Sequence, residues 1–288
     1  LRNRSLHPRA PAMSDTVLYL SPHFDDVVFS CPLNLLRESK KGREAIVATF
    51  FTEGDQSKTA GDLYDTRNAE NNEALSLLGV KGHSVGLIDA PSREPGFKTF
   101  PQIVLSEPDS DPETLVRIKE ELQSLLVHFA PVEIIAPLGV GTHIDHLLIH
   151  EAITSLEGDV PPLRFYEDYP YASVAGAFQL RVAQLGIALP VQIHELSWPD
   201  FEDAFFLAKY VDQLLEAEDQ DQVIEELENQ WRHPPAVTRR MSCHELSNCS
   251  LKETSRTAEA ANAYRSQLDT FFDVDRKREA ERLWKIES

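Results

Sequence analysis

The chain has 288 residues, 42% hydrophobic and 26% charged, a composition ordinary for a globular protein that buries a substantial core. Its formal net charge of −19 excludes the Lys- and Arg-rich surface that nucleic-acid binding needs, and disfavours docking on anionic lipid. No window approaches the roughly 18 apolar residues that span a bilayer. The longest candidate, 178–193, is interrupted by Gln179, Arg181, Gln184 and Gln192, so no membrane insertion is expected.

Residues 1–12 carry Arg2, Arg4 and Arg9 with no apolar stretch behind them, which is not the pattern of a secretory signal. Met13-Ser14-Asp15 reads as a start, and the preceding dozen residues are set aside as a vector-derived or poorly ordered extension. Residues 13–288 are expected to form a single domain, with a core over 17–171 and additions over 172–288. The three cysteines, Cys31, Cys243 and Cys249, include no C-x-x-C pair. So sparse and odd a set points to a reducing, cytoplasmic compartment without a disulfide framework.

Strand and helix alternate up to about residue 170, the pattern of a mostly parallel, doubly wound α/β sheet with helices on both faces. Strands are expected at 17–20, 45–51, 84–88, 133–137 and 163–166. Helices are expected at 34–38, 65–78, 112–129 and 145–156. The second of these carries Ala69, Leu75 and Leu78 at helical spacing with Gly79 as its stop, and the third an apolar stripe of Leu115, Ile118, Leu122, Leu125 and Leu126. Segments 52–61 and 90–112 read as long loops rimming one crevice. Beyond Pro170 the alternation weakens, and a helical addition is expected, with helices at 201–228 and 253–272 and an irregular stretch at 231–250.

Two clusters carry chemistry. Ser21-Pro22-His23-Phe24-Asp25-Asp26 follows the first apolar strand, and His143-Ile144-Asp145-His146 follows the fourth. Ligand sites of parallel sheets lie just beyond the carboxyl ends of strands, so both clusters would project into one crevice. Two adjacent aspartates cannot both point at one atom; one can bind a metal while the other stands beside the attacking water. The same pair also reads as a cap for a helix starting near Val27. Two imidazoles and a carboxylate form a common catalytic zinc set with a fourth position left for water. His150, one turn past His146, reads as a supporting or structural residue.

The motifs resemble the signatures of the PIG-L-like (LmbE-like) zinc-dependent N-deacetylases, P-H-x-D-D and H-x-D-H. Arg67-Asn68-Ala69-Glu70, Gly86-Leu87-Ile88-Asp89-Ala90-Pro91 and Tyr166-Glu167-Asp168-Tyr169-Pro170-Tyr171 resemble weaker motifs of the same family in the same order. The resemblance covers residues 17–171 and implies a Rossmann-like fold and removal of an N-acetyl group from an N-acetylated amino sugar or glycoside. It further implies one Zn²⁺ per chain bound by His23, Asp26 and His146, with Asp25 as general base. His143 would polarise the carbonyl or protonate the leaving group, with Asp145 orienting the histidines and keeping the His143 imidazolium charged. Arg67 and Asp89 would contact the sugar. Phe24, Val27 and Ile144 stand where many members carry Pro, Glu and Pro, and none is a ligand position. The partner implied is a small-molecule substrate, and self-association into a homo-oligomer is left open.

Three other readings compete. Thr142-His143-Ile144-Asp145-His146 echoes the H-x-H-x-D-H run of binuclear metallo-β-lactamase-like hydrolases, but Gly141 stands in place of the leading histidine. A phosphoacceptor receiver module also pairs acids after its first strand, yet gives His23 no role. The last is a catalytically silent metal- and sugar-binding protein, against which the retained Asp25 argues.

Overall fold

In the computed structural model, residues 15–54, 60–93, 96–174, 176–191, 193, 195, 217–246, 248–271 and 280–287 are described. Strands apolar on both faces belong in the middle of a parallel sheet. Accordingly β1 (Thr16–Ser21), wholly buried, lies between β2 (Glu44–Glu53) and β4 (Glu133–Pro137), parallel to both. β3 (Lys81–Ile88) extends the sheet beyond β2, and β5 (Leu163–Tyr166) beyond β4, again in parallel. Two further strands, β6 (Arg240–Leu246) and β7 (Glu281–Glu287), are antiparallel to each other, and β7 is antiparallel to β5. The order is β3-β2-β1-β4-β5-β7-β6.

Side-chain alternation along the central strands feeds two cores. Leu18, Leu20, Ile46, Ala48, Ile134 and Ala136 point to one face, and Val17, Tyr19, Ala45, Val47 and Ile135 to the other. The first face is covered by α5 (Pro112–Phe129), through Ile118, Leu122 and Leu125, and by α6 (Ile144–Thr154). The second is covered by α1 (Asp26–Ser30), α2 (Pro32–Lys40) and α3 (Ala60–Leu78). The fold is therefore the doubly wound α/β sheet expected. Chain order reverses between β1 and β4, and the two motifs follow the ends of those two strands, at the switch point where such sheets open a crevice.

Every strand expected before residue 170 is present. The loop read at 90–112 contains a short helix, α4 (Phe100–Leu105), started by a reciprocal capping box between Thr99 and Gln102. The C-terminal addition is not helical throughout. α7 (Ala177–Gln184), α8 (Ala217–Arg232), α9 (Leu251–Ala261) and α10 (Arg265–Phe271) are joined by β6, which falls in the stretch read as irregular, and by β7. The helix read over 253–272 is broken between Ala261 and Arg265. β6 and β7 pair residues far apart in sequence, so no local hairpin turn announces them. β7 also ties the sheet to the first motif's helices: the Glu281 carboxylate accepts the backbone N–H groups of Leu33 at 2.6 Å and Asn34 at 2.8 Å. Residues 1–12, and 201–216 of the helix expected over 201–228, lie outside the described residues.

His150 is a structural residue. Its Nδ1–H donates to the Pro137 carbonyl at 3.0 Å, and its ring packs on Phe165. Burial, then the positive charge of Arg181, pushes its pKa down to about 3, against about 6.5 in an unfolded chain. The fold holds it neutral, so stability is full above pH 6.5 and falls as pH drops from 6.5 towards 3. The slope over that interval is at most about 1.4 kcal/mol per pH unit. His150→Gln is expected to flatten the stability profile between about pH 6.5 and 4.5 by that amount, read from urea midpoints. An unchanged slope would show that His150 is already charged in the fold.

Candidate active site

The turn after β1 is organised by its own side chains. Ser21 Oγ donates to the His23 carbonyl at 2.6 Å, and Asp26 Oδ2 accepts the His23 backbone N–H at 2.6 Å. Asp25 occupies the N-cap of α1 but makes no capping bond. Capping therefore does not explain the aspartate pair. The second motif follows β4 through a loop in which Gly139, Gly141 and Thr142 have φ of 85°, 87° and 56°. A Cβ on Gly141 would overlap the Tyr171 ring, so the loop needs glycine there. His143 then caps α6, its Nδ1 accepting the Asp145 backbone N–H at 3.2 Å.

These two turns bring one ligand atom each from His23, Asp26 and His146 within 4.8 Å of one another. His23 Nδ1 lies 3.2 Å from Asp26 Oδ2, and His146 Nε2 lies 3.4 Å from Asp26 Oδ1. The opposite ring nitrogens are anchored outside the trio. His23 Nε2 is 3.1 Å from Asp145 Oδ2 and 3.4 Å from Asp89 Oδ1, and His146 Nδ1 is 2.7 Å from Asp168 Oδ1. Carboxylates behind imidazoles are the usual outer support of metal ligands, fixing the tautomer that turns the other nitrogen inward. With both rings neutral and their N–H groups on Asp145 and Asp168, three acceptors face one another with no donor between them. His146 Nε2 is buried and has no hydrogen-bond partner. A cation satisfies this arrangement, so the residues present fit a divalent metal.

A second trio, His23, His143 and Asp145, is equally close. Its carboxylate is already used: Asp145 Oδ1 lies 2.6 Å from Arg93 Nη1, and Oδ2 accepts the Ala90 N–H at 3.1 Å besides its contact with His23. An ion there would face a guanidinium.

Without an ion, the carboxylates around the first trio draw protons onto its two histidines, which marks it as a seat for positive charge that a metal would take by displacing those protons. Against the burial that opposes it, Asp89, Asp145 and Asp26 raise the His23 pKa, and Asp26 and Asp168 raise that of His146. Asp26 is held well below the ordinary carboxylate range by His146 and His23 despite its burial. Burial, then the charge of Asp26, pushes Asp25 up to about 7. Two adjacent carboxylates are thus driven apart, one to hold positive charge and one to exchange a proton near neutrality.

His143 does not carry the charge expected of it. Burial, then the charge of His23, pushes its imidazole down to about 3. Asp145 binds His23 and Arg93 through its carboxylate and gives His143 only a backbone N–H. The same carboxylate, within 4.8 Å of the His143 ring, raises its pKa less than burial and His23 lower it. His143 is therefore neutral, and because Nδ1 accepts a hydrogen bond its proton sits on Nε2.

A cavity of about 180 Å³ is lined by His23, Asp25, Asp26, Arg67, Asp89 and His143, with Asp145 and His146 buried behind it. Arg67 stacks on Tyr64 at 5.7 Å, and its Nε is buried without a partner. Glu70, the sequence neighbour that would explain Arg67 as a surface ion pair, instead binds Ser266. Asp89 faces the site, accepting the Tyr64 hydroxyl at 2.6 Å. Three supporting residues escape a sequence reading. Asp168 is fully buried, and besides His146 it accepts the N–H groups of Gly139 and Val140, both at 2.8 Å. Its signal was an acid two residues past the apolar end of β5. Arg93 and Tyr64 carried none.

Residues 18–156 match the family model described as PIG-L, GlcNAc-PI de-N-acetylase. That segment, a little under half of the chain, is similar to the PIG-L family. Within the matched segment lie both motifs and every candidate site residue named from sequence. A curated relative, 2'-N-acetylparomamine deacetylase of Streptomyces fradiae, is 31% identical over 164 residues. The match takes in 54% of this chain and 57% of the relative, so the chain spans little more than half of that protein's length. Among solved structures, a deacetylase of the teicoplanin biosynthesis pathway superposes with a TM-score of 0.62 at 19% identity, covering 94% of this chain and 98% of that one. The A40926 pseudoaglycone deacetylase gives 0.58 at 16% identity, covering 94% and 96%. At those identities the likeness is one of fold, and it reaches past the matched segment into the C-terminal addition. Among the described residues no helix is long and apolar enough to cross a membrane.

Proposed function

We propose that this protein is a zinc-dependent hydrolase that removes the N-acetyl group of an N-acetylated amino sugar or glycoside. The observation that carries the reading is the convergence of His23, Asp26 and His146 on one point beside a carboxylate, Asp25, that none of them uses. The name of the Streptomyces fradiae relative supports amide hydrolysis on an amino sugar. His23, Asp26 and His146 would hold the ion. Once bound, the ion would supply Lewis acidity and a water of lowered pKa.

The remaining chemistry belongs to the side chains. Asp25 takes the proton of the attacking water and afterwards hands it to the departing amine. His143 offers its Nε2–H to the acetyl oxygen as charge develops there, a donor of the kind typically worth about 10²–10³ in rate. A neutral imidazole suits this task, because its proton is held on the correct nitrogen by the Asp145 N–H bond. Asp145 orients His23 and is itself neutralised by Arg93. Arg67 and Asp89 contact the sugar at the cavity wall.

The test is acetate release from a panel of N-acetylglucosaminyl compounds by zinc-loaded protein, with and without chelator. Turnover lost on chelation and restored by zinc is expected; silence across the panel with metal bound would favour a binding protein. Elemental analysis should give about one metal per chain, as three protein ligands and water imply. His143→Ala should keep that metal and lower kcat more than it raises KM. Two metals per chain would favour the binuclear reading, and loss of metal in His143→Ala with retention in His146→Ala would move the site to the second trio.

A further inference from the structure

α10 lies far beyond residues 18–156, yet it is fastened to α3 side chain by side chain. Glu70 accepts the Ser266 N–H at 2.9 Å and its hydroxyl at 2.6 Å, and both oxygens of Glu73 pair with the Arg265 guanidinium at 2.8 and 3.0 Å. Just before α10, the buried Tyr264 hydroxyl lies 2.9 Å from Asn71 Oδ1 and 3.0 Å from the carbonyl of Phe24. These contacts seat Gln267, only 4% exposed, in the wall of the active-site cavity against Asp25. Only the nitrogen end of an amide can donate, so the amide turns that end towards the carboxylate. With the amide assigned so that both of its ends are satisfied, it donates to Asp25 Oδ2 and lies 3.2 Å from Oδ1.

The terminal torsion of a carboxylate is soft. A base whose lone pair wanders by about 1 Å loses as much as 10²-fold in rate. Among the described residues, no other side chain donates a hydrogen bond to the Asp25 carboxylate. We infer that Gln267 is the positioning residue of the base: the C-terminal segment supplies the donor that orients Asp25, and the site built by residues 18–156 is incomplete without it. The kinetic consequence rests on the hydrolytic reading above; the contact does not.

Two variants test it in the full-length, zinc-loaded protein. Gln267→Ala should lower kcat about 10–10²-fold while leaving KM within about twofold and the bound metal unchanged. Gln267→Glu removes the donor and sets a second carboxylate against Asp25, so its Tm should fall by about 4 °C or more. In an Asp25→Asn background most of that loss should disappear, because the new amide can donate to the new carboxylate; the recovery is the coupling of the two sites. An equal Tm loss in both backgrounds, or an unchanged kcat in an active Gln267→Ala enzyme, would overturn the inference. If the wild type releases no acetate, that counts against the hydrolase reading, and the thermal cycle alone decides whether Gln267 engages Asp25.

Discussion

Asp25→Asn is expected to leave metal content and fold near those of the wild type while lowering kcat by about 10²–10⁴. The substitution is nearly isosteric, and Asp25 makes no capping bond to α1, so the helix loses nothing. What disappears is a proton acceptor that its buried position and the neighbouring Asp26 charge raise to about 7. Asp26→Asn should behave in the opposite way. It removes the charge between His23 and His146, so metal is lost first and activity with it. If Asp25→Asn strips the metal and Asp26→Asn retains it, the two carboxylates have been assigned the wrong way round.

Asp168→Ala is expected to have the largest effect on stability and to weaken metal binding as well. Its carboxylate is fully buried and closes three contacts at once: His146 Nδ1 and the N–H groups of Gly139 and Val140. Removing a buried charged partner from such a network costs about 3–5 kcal/mol. Loss of a carboxylate behind a ligand histidine lowers metal affinity typically about 10–100-fold. Denaturant midpoints and competition with a zinc chelator measure the two separately. A variant with wild-type zinc affinity would mean that His146 is oriented by packing alone.

The two motifs are legible because each follows an uninterrupted apolar strand, and strand ends at a switch point define where ligands go. Their internal wiring is less legible. Adjacency suggests that Asp145 serves His143, but residues two apart on a helix face different directions. The Asp145 carboxylate instead reaches His23, 122 positions away, while Arg93 arrives from the loop after β3. Asp168 was within a recognisable stretch without an evident role, since its partners come from the loop after β4. The strands β6 and β7 were hidden for a related reason. No side chain of β6 is buried and only Glu281, Leu283 and Trp284 of β7 are, so their apolar signal is weak, and each finds its partner across a long separation.

The place of β7 has a consequence for how the molecule assembles. The strand formed by residues 281–287 lies inside the sheet, with β5 on one side and β6 on the other, and Trp284 on it is fully buried. A ribosome therefore delivers the five parallel strands and both reactive turns long before the strand that covers the open flank of β5. Until then that flank presents unpaired backbone groups to any other nascent chain. Closing the gap joins sequence positions far apart, which is slow by comparison with local pairing. Chaperone demand during synthesis should accordingly fall on the interval between completion of β5 and arrival of β7. Glu281, capping α2 from the start of that strand, makes the first motif's helices among the last parts to be locked.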